Sequence, residues 1–395
     1  MNILMVHPHD IYSSLEPWTV RIVYIAKEFI KKGHSVKLVY FPLDWDNRET
    51  KEVPDGLEVI PLSRKHGPHI LIPNILKLCS LASRADIVHF QKCFYHAALP
   101  AVIAGTLHGK PLHYDWDDWE LKIYEVSTEP GFLRNVTWNF LKFMEDVLPM
   151  VVDTVSCASE RLKVECEKLG VDRSRIFEAH VGADIARFNP GVSGSLIRQR
   201  YKIEKPLVLY LGQLHGGQYV ETFIKTASML INDYKKDFTF MIAGDGYQAE
   251  ELKKTAKRSN LDGKLIFTGA IPHELVPQYI AAADICLACF EENDVTLCKS
   301  PLKVVEYLAS GKAIVASNVG EVPRMIGGAG VLTPPGDVRA LAEGILEILQ
   351  NPGLKDKLEK SARKRAEEEY NWTVTAGNLL KAYEKAIQIN KVRSW

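Results

Sequence analysis

The chain has 395 residues, 46% of them hydrophobic and 25% charged, which is a length for two or three soluble domains with proper cores. Lys and Arg (49) balance Asp and Glu (49), so a formal charge of zero argues against a nucleic-acid binder, and no apolar run approaches the ~20 residues needed to span a bilayer. Seven cysteines without framework spacing, and a start that runs into a strand with no signal-peptide core, lead us to expect reduced thiols and a cytoplasmic protein.

In chain order, residues 2–7 (NILMVH) read as a buried strand. Residues 19–32 form an amphipathic helix stopped by Gly33, and 35–40 a second strand. This βαβ unit predicts a parallel sheet with a right-handed crossover. Strands are expected at 57–61, 87–90, 112–115, 154–157 and near 176–180, with helices at 72–83, 97–106, 131–150 and 160–169. The polar stretch 182–205, with Asn189, Pro190, Gly191 and Gly194, reads as a linker holding a short helix. A second series follows, with strands at 207–211, 238–243, 265–268, 285–289, 313–316 and 330–333. Helices are expected at 219–231, 248–258, 273–282, 337–350, 354–369 and 372–390. The expected fold class is α/β, with two doubly wound Rossmann-like domains facing across a cleft.

Cys298–Ser317 (CKSPLKVVEYLASGKAIVAS) reads as loop, helix and buried strand. Ser300 is the expected N-cap, Pro301 the first helical residue and Gly311 the glycine just past the end. At the carboxyl edge of a parallel sheet such a helix start can accept a phosphate, and Glu306, about one turn in, can take two sugar hydroxyls. The plainer alternative is an ordinary helix with one solvated Glu.

Other stretches carry chemistry less specifically. His7-Pro8-His9-Asp10 ends the first strand; two His could hold a metal, but no third ligand is identifiable and a loop lining the cleft is expected. His113–Glu120 (HYDWDDWE) packs four acids and two Trp at a strand end, where paired carboxylates do acid–base work or hold a cation, or where Asp117 or Asp118 caps a helix. Gly131–Met150 is rich in Phe, Trp, Leu and Met with few acids; a core helix is the preferred reading and a membrane-surface helix the alternative. Leu211–Gly217 (LGQLHGG) and Gly244-Asp245-Gly246 follow strands, but neither is a P-loop or a G-x-G-x-x-G. Cys286 and Cys289 form a C-x-x-C without a second ligand pair and are expected to be core.

Together, YLGQL (210–214), IAGDG (242–246), LIFTGAIPHELVPQYIAAADI (265–285), SPLKVVEYLASGKAIVAS (300–317) and GVLTPPGDVRALAEGI (330–345) resemble the retaining nucleotide-sugar glycosyltransferases of the two-domain GT-B fold. The first half adds KKGHSVKLV, ADIVHF and the DTVSCAS–GADIARFNP segment, so the resemblance covers nearly the whole chain. It implies transfer of a sugar from a nucleotide diphosphate-sugar donor to a glycan or lipid-linked acceptor with retention of configuration. It also implies a reaction with no cofactor and no metal; a cytoplasmic protein in peripheral contact with the membrane is expected from the Trp138-bearing helix and Arg64-Lys65-His66. An acceptor-side domain would span 1–190, joined by a C-terminal helix at 373–395, and a donor domain 191–372. Glu306 would be the second Glu of the family's E-x7-E motif and bind the donor ribose. The amides at Leu302 and Lys303, with Ser300 and Lys299, would face the diphosphate. Gly212, Gln213 and Gly244 would line the donor site, and Ile271 would meet the base through its backbone. Asp117 and Asp118 stand at the catalytic-loop position that contacts the transferred sugar.

The sequence also departs from that pattern. The first motif Glu falls on Cys298, the paired diphosphate Arg and Lys on Gln213 and Gln218, the Gly-Gly loop on Glu16-Pro17, and the family His on Asp117. Charge builds on the leaving diphosphate in the transition state, so cationic help is expected from Lys303 and Lys299, with His215 or Arg324 as additions. Glu292 or Asp294 is a candidate to replace the missing sugar carboxylate. A catalytically inactive GT-B paralogue that binds or scaffolds is the alternative class. A sugar-nucleotide epimerase or phosphorylase is a more distant third.

Overall fold

The computed structural model describes residues 1–395 except 14–15, 17–18, 45–52, 66, 130, 215–218 and 394–395, and the side chains of 68 and 133. It divides into two compact units, Met1–His180 with Trp372–Trp395, and Val181–Asn371.

The first unit runs β1 (Asn2–Val6), α1 (Val20–Lys31), β2 (Ser35–Tyr40), β3 (Leu57–Pro61), α2 (Pro68–Ala82), β4 (Ile87–Gln91), α3 (Tyr95–Leu107), β5 (Leu112–Trp116), α4 (Glu120–Ser127), α5 (Phe132–Val151), β6 (Thr154–Cys157), α6 (Glu160–Lys168) and β7 (Ile176–Glu178). Its strands lie in the order β3-β2-β1-β4-β5-β6-β7. Every pairing between these strands is parallel, with Ile3 opposite both Val36 and Ile87. A parallel sheet covered on both faces needs apolar strands throughout, and β1, β4 and β5 are buried almost without interruption.

The second unit runs α7 (Ser195–Arg200), β8 (Leu207–Leu211), α8 (Val220–Ser228), β9 (Thr239–Ala243), α9 (Ala249–Arg258), β10 (Leu265–Phe267), α10 (Val276–Ala282), β11 (Ile285–Ala288), α11 (Asp294–Cys298), α12 (Leu302–Ala309), β12 (Ala313–Ser317), α13 (Val322–Ile326), β13 (Val331–Thr333), α14 (Val338–Gln350) and α15 (Pro352–Glu368). Its sheet has the order β10-β9-β8-β11-β12-β13, again parallel. The last helix, α16 (Trp372–Arg393), belongs to the first unit. There Trp372 stacks on Tyr24 at 5.6 Å, and the Tyr383 hydroxyl meets His89 Nδ1 at 2.7 Å.

Each sheet reverses its winding direction once, between β1 and β4 in the first unit and between β8 and β11 in the second. In doubly wound sheets ligands bind outside the strand ends at that switch point. The residues singled out from the sequence cluster there in both units.

The structure corrects three local expectations. Helix α4 is not announced by its sequence: neither Asp117 nor Asp118 caps it, and Trp119 stands at its N-cap without a side-chain bond. Its first amides, Glu120 N and Leu121 N, instead donate to the Glu145 carboxylate at 2.8 and 3.2 Å, a cap contributed from α5. Helix α5 is not a core helix: Leu141, Met144, Glu145 and Leu148 face inward, while Phe132, Val136, Phe140, Phe143 and Met150 face solvent. Ser300 does not cap α12. Pro301 takes the N-cap position with extended ψ (118°), so the helix opens at Leu302, and Ser300 Oγ accepts from Val181 N at 3.4 Å.

The C-x-x-C pair sits in the core as expected. Cys286 packs into the cluster on one face of the second sheet and Cys289 into the cluster on the other. Burial pushes their thiols up to about 12 and about 11, far from the thiolate chemistry of a redox pair. No described helix is long and apolar enough to cross a membrane.

Candidate functional site

At the switch point of the first unit, Lys92 follows β4 with a positive φ of 65°, a conformation uncommon for a residue with a Cβ. Its ammonium lies 3.3 Å from Asp117 and 3.1 Å from Asp118, and also pairs with Glu120. The side chain is 3% exposed. Burial alone would lower its pKa, but the three carboxylates hold it well above the ordinary lysine value. Asp117, Asp118 and Glu120 are close enough to share a cation, with ligand atoms within 4.8 Å of one another. The charge in that position is the Lys92 ammonium.

Asp117 is tied in from a second side. Gln91 Nε2 donates to its Oδ2 at 2.6 Å, and Gln91 Oε1 meets His7 Nδ1 at 2.8 Å. An amide oxygen only accepts, so His7 carries its proton on Nδ1. Burial pushes the Asp117 carboxyl up to about 7, with Lys92 pulling against it. Next to it, burial would raise Asp115, but Arg21, bidentate to it at 2.9 and 2.8 Å, holds it well below the usual carboxylate range. Burial, helped by Glu120, pushes Glu145 up to about 8.

After β1, His9 and Asp10 do not converge on a metal geometry. His9 Nδ1 meets Glu16 Oε1 at 2.8 Å, Asp10 N donates to Glu16 Oε2 at 2.6 Å, and Arg64 donates to both oxygens at 2.9 and 3.1 Å. Glu16 thus closes this loop with side-chain bonds at the position where the resemblance places a Gly-Gly turn. Pro17 and His66 lie outside the described residues.

The second unit's switch point is built from backbone, rings and one lysine. Gly212 after β8 and Gly244 after β9 have φ of 145° and 149°. A methyl group on Gly244 would lie 1.9 Å from Gly212 O, so the two loops approach as only glycine allows. Gly212 N donates to Ala243 O at 3.0 Å and Leu214 N to Asp245 O at 2.9 Å, which zips the loops together. Lys303, on the first turn of α12, brings its ammonium beneath Gly212, where an added methyl would sit 2.9 Å from Nζ. It lies 4.1 Å from the Tyr210 ring centre and 5.6 Å from that of Phe290. Burial lowers its pKa from 10.5 to about 7.

Glu306, one turn further along α12, is 4% exposed, not solvated, and its Oε1 meets His273 Nε2 at 3.2 Å. Cys298 ends α11 and is buried. A capping box of Asn293 and Thr296 starts α11 and fixes the loop that carries exposed Glu292 and Asp294. Leu302 opens α12; Ser300 and Lys299 precede it, Gln213 follows Gly212, and Ile271 lies beyond β10, packed against the core. His215 and Gln218 lie outside the described residues.

The structure therefore brings the expected residues into two groups, Asp117 with Asp118 in one unit and the Gly212–Gly244–Lys303–Glu306 set in the other. The sequence reading missed Gln91, Lys92, Glu145 and His273, and had Glu120 only as one of the four acids of the 113–120 stretch. Their signal was position alone: Gln91-Lys92 at the end of the central strand β4, and His273 just ahead of α10.

Both units match family models. Residues 19–187 match the model described as Glycosyltransferase Family 4, and residues 205–351 the model described as Glycosyl transferases group 1. The chain belongs to the GT-B glycosyltransferases. Among curated relatives, the alpha-D-kanosaminyltransferase of Streptomyces kanamyceticus is 25% identical over 194 residues, 48% of either chain. The O-antigen chain mannosyltransferase B of Escherichia coli is 22% identical over 191 residues, again 48% of either chain. The chain thus spans about half the length of these two relatives. Among solved structures, the sucrose-phosphate synthase of Thermosynechococcus elongatus superposes with a TM-score of 0.76 at 17% identity, covering 98% of this chain and 100% of that one. Anabaena Alr3699/HepE in complex with UDP and glucose superposes with a TM-score of 0.75 at 16% identity, covering 97% and 99%.

Proposed function

We propose that the protein transfers a sugar from a nucleotide diphosphate-sugar to a glycan or lipid-linked acceptor at a cytoplasmic membrane face, with retention of anomeric configuration. The observation that carries this is the start of α12: a buried lysine and a buried carboxylate one turn apart, beside two glycine loops, at the switch point of the second sheet. The UDP named with the Anabaena neighbour makes a uridine donor the first to try. On this account the second unit holds the donor and the first the acceptor.

In the proposed mechanism Glu306, steadied by His273, takes the ribose hydroxyls. The amides at Leu302 and Lys303, with Lys303, Lys299 and Ser300, receive the diphosphate. Gly212, Gln213 and Gly244 let the backbone approach it, and Ile271 borders the base. An ammonium that burial has pulled toward neutrality regains its proton when a diphosphate arrives, so its charge is strongest when the leaving group needs it. Asp117 and Asp118 contact the transferred sugar, held by Gln91 and Lys92. The departing phosphate removes the acceptor's proton, so no side-chain base is assigned.

The second class, a paralogue that binds without turnover, draws support from Cys298, which is buried where the family carries a carboxylate. The test is to incubate the purified chain with UDP-, GDP- and ADP-sugars and follow donor consumption and product anomer by NMR. Turnover with a product of the donor's configuration supports the transferase. Donor binding without any hydrolysis or transfer supports the paralogue, and inversion overturns the retaining mechanism.

A further inference from the structure

Helix α5 carries an apolar stripe on the wrong side for a core helix. Phe132, Val136, Phe140, Phe143 and Met150 recur at spacings of three, four or seven and face solvent, with Phe132 81% and Phe143 57% exposed. The opposite face already supplies the packing, through Leu141, Met144 and Leu148. The stripe continues onto neighbouring helices. Tyr95 at the start of α3 meets Phe140 edge-on at 5.6 Å, and with Ile72 of α2 it lines a cavity of about 260 Å³ that has Lys65 at its margin. Ile72 and Leu76 of α2 are 56% and 65% exposed. Apolar surface of this extent in a soluble unit marks an interaction site.

Charge identifies the occupant. No Asp or Glu occurs in residues 59–85, which hold α2, in 87–114, which hold α3, or in 130–144, which cover most of α5. The basic side chains of those stretches include Lys65, Lys77, Arg84 and Lys142, all exposed. On the α5 stripe itself Asp146, between Phe143 and Met150, pairs with Lys142 at 2.5 Å, so the positive charge of this surface rests on Lys65, Lys77 and Arg84. Apolar side chains among basic ones, on a 20-residue helix lying along the surface, fit the boundary of an anionic bilayer. We propose that α5, with the outer face of α2, is an interfacial membrane anchor that selects anionic phospholipid. It deepens the membrane-face part of the proposed function and does not depend on the donor.

The test is co-sedimentation of the full chain with vesicles of phosphatidylcholine alone or mixed with phosphatidylglycerol, at low and high salt, alongside its oligomeric state by light scattering. The expected result is binding to the mixed vesicles only, weakened by salt, and weakened at least about tenfold in the Phe132→Ser/Phe143→Ser double variant. Both side chains are exposed, so the variant should keep the wild-type melting temperature. Lys142→Glu should weaken binding less. Absence of binding to anionic vesicles, equal binding by the double variant, or a wild-type dimer that the double variant dissociates would each overturn the proposal. UDP-sugar affinity is measured on the same samples. Its loss would count against the transferase assignment, and its retention leaves the vesicle result to decide the anchor.

Discussion

At the carboxyl edge of the first sheet a buried lysine lies among three carboxylates; at that of the second a buried lysine lies over two aromatic rings. The two sheets share their winding, so position in the fold does not account for the difference. Surroundings do. Lys92 is held charged well above its ordinary range, whereas Lys303 is lowered to about 7. Burial penalises both ammonium groups, and only the first has anions close enough to outweigh that penalty. The first edge is therefore electrostatically complete before any ligand arrives. The second would gain from an entering anion, which is what the proposed diphosphate site requires.

The largest expected effect comes from breaking the complete edge. Lys92→Met leaves Asp117, Asp118 and Glu120 facing one another without their cation, and should destabilise the protein by about 3–5 kcal/mol in denaturant titration. Lys303→Met should do the opposite to the free protein, raising its melting temperature at pH 6 by removing a charge that burial disfavours. It should also weaken nucleotide-sugar binding by about 1.5–3 kcal/mol in calorimetry. If both variants lost stability alike, the contrast between the two edges would fail.

Gln91→Leu sharpens the picture at Asp117. It removes the donor to Asp117 and the acceptor for His7, which should cost about 1–3 kcal/mol of stability. The smallest effect is in pH dependence. Asp117 and Glu145 have folded pKa values of about 7 and about 8, above their ordinary 3.8 and 4.5, so their contribution to stability is present below pH ~4 and lost as pH rises through 7 to 8. Lys303 works in the opposite direction. Its folded value is lowered, so stability is gained as pH rises from about 7 toward 10.5. Hydrogen exchange read separately on peptides of each unit should show the first softening between pH 5 and about 8 and the second firming above about 7.

The fold was legible because both sheets are parallel and buried on both faces, which writes β1, β4, β8 and β11 as short apolar runs between glycine and polar turns. The clustering at the second edge was legible for a related reason: Gly212, Gly244 and the α12 start follow strand ends of the second sheet. The network at the first edge was not. Lys92 and Glu145 are far from the 113–120 acids in sequence and look like ordinary surface charges until the sheet order places β4 beside β5 and packing puts α5 under α4. Helix α5 misled for the converse reason. Its apolar residues were numerous enough for a core, and composition cannot say that one apolar face is turned outward. At α12, Ser300 is a good capping residue, but Pro301 itself stands at the cap with an extended ψ, which shifts the helix start by one.

The most direct test of the central claim, that Lys303 at the start of α12 receives the donor's diphosphate, is UDP-sugar affinity as a function of pH. The diphosphate of a nucleotide-sugar is a diester without a proton to titrate near neutrality, so any slope belongs to the protein. With Lys303 at about 7 in the free site and raised by the bound anion, wild-type affinity should fall by up to about tenfold per pH unit above pH 7. The slope should vanish in Lys303→Arg, whose guanidinium stays charged. Affinity that is flat from pH 6.5 to 8.5 in the wild type, or a slope that survives Lys303→Arg, would contradict the assignment.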